Sequence, residues 1–533
     1  MGLARGGGRD GGPMTAAAGA RPNGHQTVTA TLLLATWMQA ASISLPNPAL
    51  LHIQGALSMA DDQAGWFFSW FIAASAITMP MTRWLAGRYG RKLVYQLSLA
   101  IFACGLLLAA GADTPIQFLA ARIIQGAASG PLAPLSLAIL LDLLPPARHG
   151  RISLIWTVAL VLGIVSGPSI GGWLTEYHGW RSIFYVNVPV AGFIFLVVAL
   201  SVPEKKIEQN PPFDFFGAGT LTLGMIGLQL VLDRGERLEW FASPEIWAEA
   251  AASALGFYLL AVHVLTRHTH FISKALLRDR NFVLSAVMFF VFGFVLLPTM
   301  ALTSPMLDEL LGYPSDTTGF VAIPRSIALL AALVLVSKVP AWIDNRLLIA
   351  IGTALVVYAN WRMLGYSPAM YWSTVATAGV IQGAGLGILM PVLAKTAFST
   401  LDPKLRLEGT VLFNLSRLYG STIGIAVVQT FFYNNTQAMH LALARNITPF
   451  RAATHGVAAL SAQGLAGLDN LITGQAAFVA IIGQFKILMI ATLVVSPLVL
   501  LFRKPCPVNE QQKGRVERSR SPQTPLLQFR TKP

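Results

Sequence analysis

Charge is what this sequence is short of. Only 12% of its 533 residues are Asp, Glu, Lys or Arg, about half the ~25% of ordinary soluble domains. Apolar residues supply 54% and the mean hydropathy is +0.60. The charges that exist are bunched into short clusters, separated by apolar runs of ~20 residues, the length that crosses a hydrocarbon core. That pattern excludes a soluble fold and gives an all-α, polytopic integral membrane protein. Cysteine is scarcer still: Cys104 falls in an apolar run and Cys506 in a basic tail, so neither a disulfide framework nor a metal site is expected. No G-x-x-x-x-G-K-[ST] phosphate loop occurs, which removes ATP hydrolysis. Convergent carboxylates, His or Cys near an interface, which a membrane enzyme would need, are missing too. His268 and His270 form an isolated H-x-H in a basic loop and read as solvated residues. The glycines of "GAGLG", Gly383 to Gly387, read as helix packing. No enzyme, metal or organic cofactor is expected.

The net charge of +14 raises nucleic acid as a partner, but its distribution argues against one. Eight Lys or Arg lie in the last stretch, "RKPCPVNEQQKGRVERSRSPQTPLLQFRTKP", and a basic tail beside a membrane sets topology or meets anionic lipid. Residues 1–27 are Gly-rich, basic and aperiodic. They lack a signal-peptide core and the myristoylation pattern, and read as a disordered cytoplasmic tail.

Fourteen spans follow from the apolar runs: 28–52, 64–86, 93–111, 115–144, 150–175, 181–202, 213–233, 245–266, 281–305, 318–337, 347–364, 371–395, 411–433 and 485–502. With the N-terminus in the cytoplasm, the inner segments collect 28 Lys and Arg and the outer ones seven. The positive-inside rule therefore places both termini in the cytoplasm. Internal similarity links the halves. "IQGAASGPLAPL" (Ile124 to Leu135) and "IQGAGLGILMPV" (Ile381 to Val392) agree at seven of twelve positions, pairing span 4 with span 12. Six spans, an inserted pair and six more account for that pairing.

Several stretches carry a family resemblance. "RWLAGRYGRKL" (Arg83 to Leu93) is similar to the G-x-L-a-D-R-x-G-R-[RK] loop of the major facilitator superfamily, with Arg83 and Gly87 departing from it. "GIVSGPSIGG" (Gly163 to Gly172) matches the antiporter signature G-x-x-x-G-P-x-x-G-G. "GWRSIFYVNVPVAG" resembles the start of span 6, "LQLVLDRGERLEWFASPEI" the exit from span 7, and "FNLSRLYGSTIG" span 13, in EmrB-like multidrug permeases. The chain resembles this fourteen-span drug:proton antiporter group over roughly residues 28–503.

The resemblance implies a major facilitator fold with 14 helices (6+2+6): bundles 28–202 and 281–503, an inserted pair with flanking loops at 203–280, and a basic tail at 504–533. It implies a cytoplasmic gate of Arg88, Gly90, Arg91 and Lys92, with Arg91 paired to Asp142. Gly163, Gly167, Pro168, Gly171 and Gly172 would give close packing across the interface between the bundles. It also implies a bacterial inner-membrane location.

Laid on the family's first-span pattern M-x-x-L-D-x-T-I-x-N-V-A-[LI]-P, this chain keeps Asn47 but has Ser42 where the aspartate belongs. Gln39, Ser42, Asn47 and the two prolines near them are tolerated if this helix faces a cavity. The deep charges are cations: Arg122, Arg325 and Arg417, and intramembrane charge points to function. Arg122 matches the arginine that the family links to proton transfer; snorkelling or bonding to helix carbonyls is the structural alternative for all three. Gln125, Gln382 and Asn414 complete the candidate cavity set. With cations and no mid-membrane acid, neutral or anionic amphiphiles are the expected substrates. The carboxylates left for proton coupling are Asp142, Asp233, Asp308 and Glu309.

Residues 434–484 read as a long outer loop, a site for the periplasmic membrane-fusion adaptor and outer-membrane channel that the resemblance implies. The function expected is secondary active efflux of amphipathic small molecules by alternating access, in exchange for protons. A proton-uncoupled facilitator and a non-transporting receptor or sensor are the alternatives.

Overall fold

The computed structural model describes residues 22–59, 63, 65–145, 148–203, 214–235, 237–266, 274–340, 342–401, 405–445 and 462–503. The tails, the His268–His270 pair, Cys506 and residues 446–461 lie outside them. Every regular element among the described residues is helical, as a membrane demands of a chain whose backbone must satisfy itself. Twelve helices are long and apolar enough to cross a bilayer. Two further rods complete fourteen: span 2 and span 11. Span 2 is broken into Trp66–Thr78 and Thr82–Tyr89 by a tight turn at Pro80. Span 11, Asn345–Met363, carries Asn345, Arg346, Asn360 and Arg362 among its apolar residues.

Span 1 runs Pro22–Ser44 and, after a 3₁₀ turn at Asn47–Ala49, continues as Leu50–Leu57. Pro46 and Pro48 explain the break, since neither can donate to a helical ladder. The rest of the first bundle is span 3 (Arg91–Ala110), span 4 (Pro115–Leu143), span 5 (His149–His178) and span 6 (Asn187–Ser201). Spans 7 and 8 are Phe215–Arg234 and Pro244–Thr266. The second bundle holds span 9 (Arg280–Pro305), span 10 (Ser315–Ser337), span 12 (Trp372–Ser399), span 13 (Arg406–Ala444) and span 14 (Ala462–Val495), besides span 11.

The last two spans depart from the sequence reading. Span 13 runs to Ala444 and span 14 starts at Ala462, so most of the expected loop 434–484 is helix. Nothing in those stretches breaks a helix, and His440 of one extension meets Asp469 of the other at 3.0 Å. Span 14 is already buried at Ala476, Phe478 and Ile481, well before residue 485.

Contacts repeat between the halves. Spans 1 and 5, 2 and 4, 3 and 4, and 3 and 6 pack together in the first bundle, as do 9 and 13, 10 and 12, 11 and 12, and 11 and 14 in the second. The bundles meet along two seams related by the same exchange, span 5 on span 10 and span 2 on span 13. Spans 7 and 8 pack on one another, and span 7 lies against spans 2 and 13. Asp214 fastens the pair, capping span 7 through the Gly217 N–H and contacting His263 of span 8 at 2.9 Å. Exposed Leu196, Leu200, Trp247, Leu255 and Leu265 form the apolar surface that lipid would cover.

Candidate substrate cavity

Both described termini lie at one end of the helix stack, where the Arg503 main chain bonds Asn281 at the start of span 9. At the opposite end the seam of spans 5 and 10 is closed backbone to backbone. A Cβ on Gly172 would overlap the Ser315 carbonyl oxygen, and one on Gly319 would crowd that of Pro168. Ser169 Oγ donates to the Gly319 carbonyl at 2.9 Å, and Tyr177 Oη to Asp316 at 3.3 Å. Only glycine at 172 and 319 lets two helices approach this closely.

Gly163, Gly167 and Gly171 do something else. Their missing side chains make room for the backbone and small residues of span 1, at Trp37, Ala40, Ser44 and Leu45. The motif thus packs mostly within its own bundle, and Gly172 alone of its glycines reaches the other. Four-residue spacing puts the first three on one face, while Gly172 is rotated by about 100°.

A cavity extends from mid-stack toward the terminal end, between spans 1, 2, 4 and 5 on one side and span 13 on the other. Gln39, Ser75 and Ser129 line one wall; Thr410, Asn414 and Arg417 line the other. Arg417 is buried, and its Nε and Nη1 have no hydrogen-bond partner among the described residues. Gln39 Oε1 and Ser129 Oγ are likewise unpartnered. Arg417 also borders a second, small cavity made of Leu160, Phe292, Leu296, Met390 and other apolar groups. A third is lined by Arg325 and Gln382 with Thr299, Ser304 and Thr318. No carboxylate is among the described residues lining any of the three.

Arg122 is not among those lining residues. Fully buried, it donates Nη1 to Gln125 Oε1 at 2.6 Å and Nε to the Phe67 carbonyl at 3.3 Å. Nη1 and Nη2 reach the Ser42 carbonyl at 3.4 and 3.3 Å, and the guanidinium lies 4.3 Å from the Phe71 ring centroid. Its charge is spent on protein acceptors. Ser42 itself bonds the Met38 carbonyl one turn back and lies off the cavity wall. Asn47 is buried in the 3₁₀ turn of span 1.

A profile of the Major Facilitator Superfamily matches residues 32–425. The chain belongs to the Major Facilitator Superfamily. It is similar to the multidrug export protein EmrB of Haemophilus influenzae, 29% identical over 79% of this chain and 83% of that one. It is also similar to the fatty acid resistance protein FarB of Neisseria gonorrhoeae, 28% identical over 90% of this chain and 96% of that one. Among solved structures, the nucleoside transporter NupG superposes with a TM-score of 0.58 at 13% identity, covering 90% of this chain and all of NupG. A bacterial Spinster homologue, inward-facing and occupied, gives 0.58 at 14%, covering 91% of this chain and 98% of its own. The likeness to these two structures concerns the fold.

The superfamily's loop between spans 2 and 3 shows its parts at the terminal end. Gly90 has φ 87°, a conformation that only glycine adopts freely. Arg91 pairs with Asp142 at 2.5 Å, Lys92 donates to the Ala199 carbonyl at 2.8 Å, and Arg88 lies 5.8 Å from the ring centroids of Trp84 and Tyr89. Arg83, a departure from the pattern, ties span 2 to span 13 through Glu408 at 2.8 Å. Of these contacts, Arg83–Glu408 alone crosses between the bundles. Sequence reasoning missed that pair because the two residues are 325 positions apart.

Two of the candidate acids sit away from the cavity walls. Asp233, at the end of span 7, accepts from Gln229 at 2.7 Å and faces Ser69 of span 2 at 3.4 Å. Asp308, in the π turn after span 9, accepts from the Thr318 hydroxyl of span 10. Thr318 stands one residue before the seam glycine Gly319 and also lines the Arg325 cavity. Asp308 thus adjoins the closed end.

Proposed function

We propose that this protein exports amphipathic small molecules across the bacterial inner membrane by alternating access, favouring neutral and anionic compounds over cations. The observation that carries the reading is the cavity wall: Arg417 has unpartnered N–H groups and no carboxylate accompanies it among the described lining residues. A buried cation without a partner is costly and gains most from an anionic guest, whereas a cationic one meets repulsion. The names of EmrB and FarB, a multidrug exporter and a fatty acid resistance protein, support an amphiphile exporter.

With both termini in the cytoplasm, the Arg417 cavity faces the cytoplasm and the Gly172–Gly319 seam is the outer gate. Rocking of the bundles about the two seams exchanges access. Protons flowing inward drive export, and Asp308 is the carboxylate in the right place, bonded through Thr318 to the helix that forms the gate. Gln39, Asn414 and Arg417 contact substrate. Arg122, with Gln125, holds spans 1, 2 and 4 in register. The helical extensions of spans 13 and 14 reach past the outer surface and offer a face to a periplasmic adaptor and channel.

Uptake into inverted membrane vesicles with an imposed inside-acid gradient tests this reading. Gradient-stimulated uptake that is lost in Asp308→Asn supports coupled export. Uptake indifferent to the gradient replaces it with a facilitator, and absence of any transport returns the receptor reading.

A further inference from the structure

The internal repeat has a consequence in three dimensions. Gly126 and Gly383 occupy the same position of the repeated "IQGA" segments. A Cβ on Gly126 would overlap the Phe71 carbonyl oxygen, and one on Gly383 that of Arg325. One turn later Gly130 approaches the Ser75 carbonyl and Gly387 that of Leu329. The two registers agree, so Phe71 of span 2 corresponds to Arg325 of span 10, and Arg122 of span 4 corresponds to Gly379 of span 12.

The arginine has therefore changed helices between the halves. In the first bundle Arg122 rises from span 4 over the Phe71 ring. In the second, Arg325 comes from span 10, and its stem passes over the bare backbone of Gly379, whose Cβ would stand 3.2 Å from Arg325 Cβ. Each bundle thus keeps one buried guanidinium beside the repeated glutamine, Gln125 or Gln382.

The two places differ in what is left over. Arg122 and Gln125 are bonded to each other at 2.6 Å, and that place is filled. Among the described residues Arg325 bonds only the Leu296 carbonyl, through Nη2 at 3.2 Å. Its Nε and the Oε1 of Gln382 have no partner among the described residues. Gln382 is turned away by donating to Thr299 Oγ1 at 3.2 Å and Asn360 Oδ1 at 3.0 Å. Between these groups lies the third cavity, with hydroxyl groups toward the gate and Met300, Val321 and Met363 as apolar walls. Arg325 is only 7% exposed.

We propose that this cavity is a second binding site, separate from the Arg417 cavity, that takes the carboxylate of a small apolar monoanion on Arg325. The charge-assisted bond to Arg325 fixes the head, and the apolar walls take the body. Its place next to the outer gate makes it the last stop before release; that role, though not the binding itself, rests on the export reading above.

Equilibrium dialysis of salicylate, with the neutral salicyl alcohol as control, tests the site on the full-length protein in non-ionic detergent. Wild type is expected to hold two salicylates per chain, and Arg417→Gln one. Arg325→Gln removes the other, weakening it at least tenfold, while Arg325→Lys, which keeps the charge, retains it. Ala322→Phe fills the cavity without touching the cation and also removes that site, so a misfolded Arg325→Gln does not decide the matter. Two salicylates retained in both Arg325→Gln and Ala322→Phe overturn the proposal and leave the Arg417 reading standing. A single site, lost only in Arg417→Gln, does the same. Salicyl alcohol binding as tightly as salicylate at the Arg325 site overturns the proposal.

Discussion

The guanidinium of Arg122 rests on the main-chain carbonyl of Ser42, at 3.3 and 3.4 Å. The Ser42 hydroxyl turns back to the Met38 carbonyl, so at residue 42 this arginine bonds main chain and not side chain. Removing it as Arg122→Ala leaves the Ser42 and Phe67 carbonyls and Gln125 Oε1 without those donors. The cost expected is about 3 kcal/mol, read as a lower midpoint of thermal unfolding in detergent. An unchanged midpoint would show that the arginine is not a structural clamp.

Replacing the serine tests the same contact from the other side. Ser42→Asp places a carboxylate beside Arg122, away from the cavity wall, and should raise the unfolding midpoint. It should give no gain in export of quaternary ammonium dyes, because position 42 does not line the Arg417 cavity. Dye export appearing in Ser42→Asp would place that position on the substrate path.

At the outer gate the prediction is steric. Gly172→Ala forces a methyl group into the Ser315 carbonyl, and the seam of spans 5 and 10 must part. Uptake should fall at least tenfold, and a Thr303→Cys reporter in a background with Cys104→Ser and Cys506→Ser should become open to labelling from outside. Normal uptake with a protected reporter would mean that this seam is not the gate.

The Arg83–Glu408 pair is half exposed, with side-chain accessibilities of 50% and 20%, and ion pairs of that kind are worth ~0–1 kcal/mol. Arg83→Ala and Glu408→Ala should therefore leave the unfolding midpoint nearly unchanged. Both should alter the initial rate of export by the same factor, and the double variant should add nothing. Independent, additive rate effects in the two variants would separate the residues.

The fourteen rods were legible because a membrane span is a compositional signal, and because the repeat at residues 124 and 381 disclosed the two halves. The extensions of spans 13 and 14 were not. Asn434, Asn435, Gln437 and Asp469 lower hydropathy without breaking a helix, so an apolar window stops where the helix goes on. Site chemistry was legible by residue type and not by direction. Arg122, Arg325 and Arg417 look alike in a hydropathy trace, yet one is bonded out, one borders a side cavity and one faces the central cavity. The exchange of Phe71 and Arg122 for Arg325 and Gly379 needed the contacts of Gly126 and Gly383. Extending the repeat two residues upstream would have shown a glycine opposite an arginine, but not the second arginine that fills its place.

Charge selection is the central claim, and competition at the Arg417 cavity tests it most directly. Matched anionic, neutral and cationic amphiphiles of one ring system would be offered outside inverted vesicles, and initial rates of uptake compared for wild type and Arg417→Gln. The account predicts that wild type exports the anion and the neutral compound well above the cation. Arg417→Gln should lose at least tenfold in kcat/KM for the anion and leave the neutral compound nearly unchanged. A wild type that prefers the cation, or an Arg417→Gln variant that exports the anion as before, would contradict it.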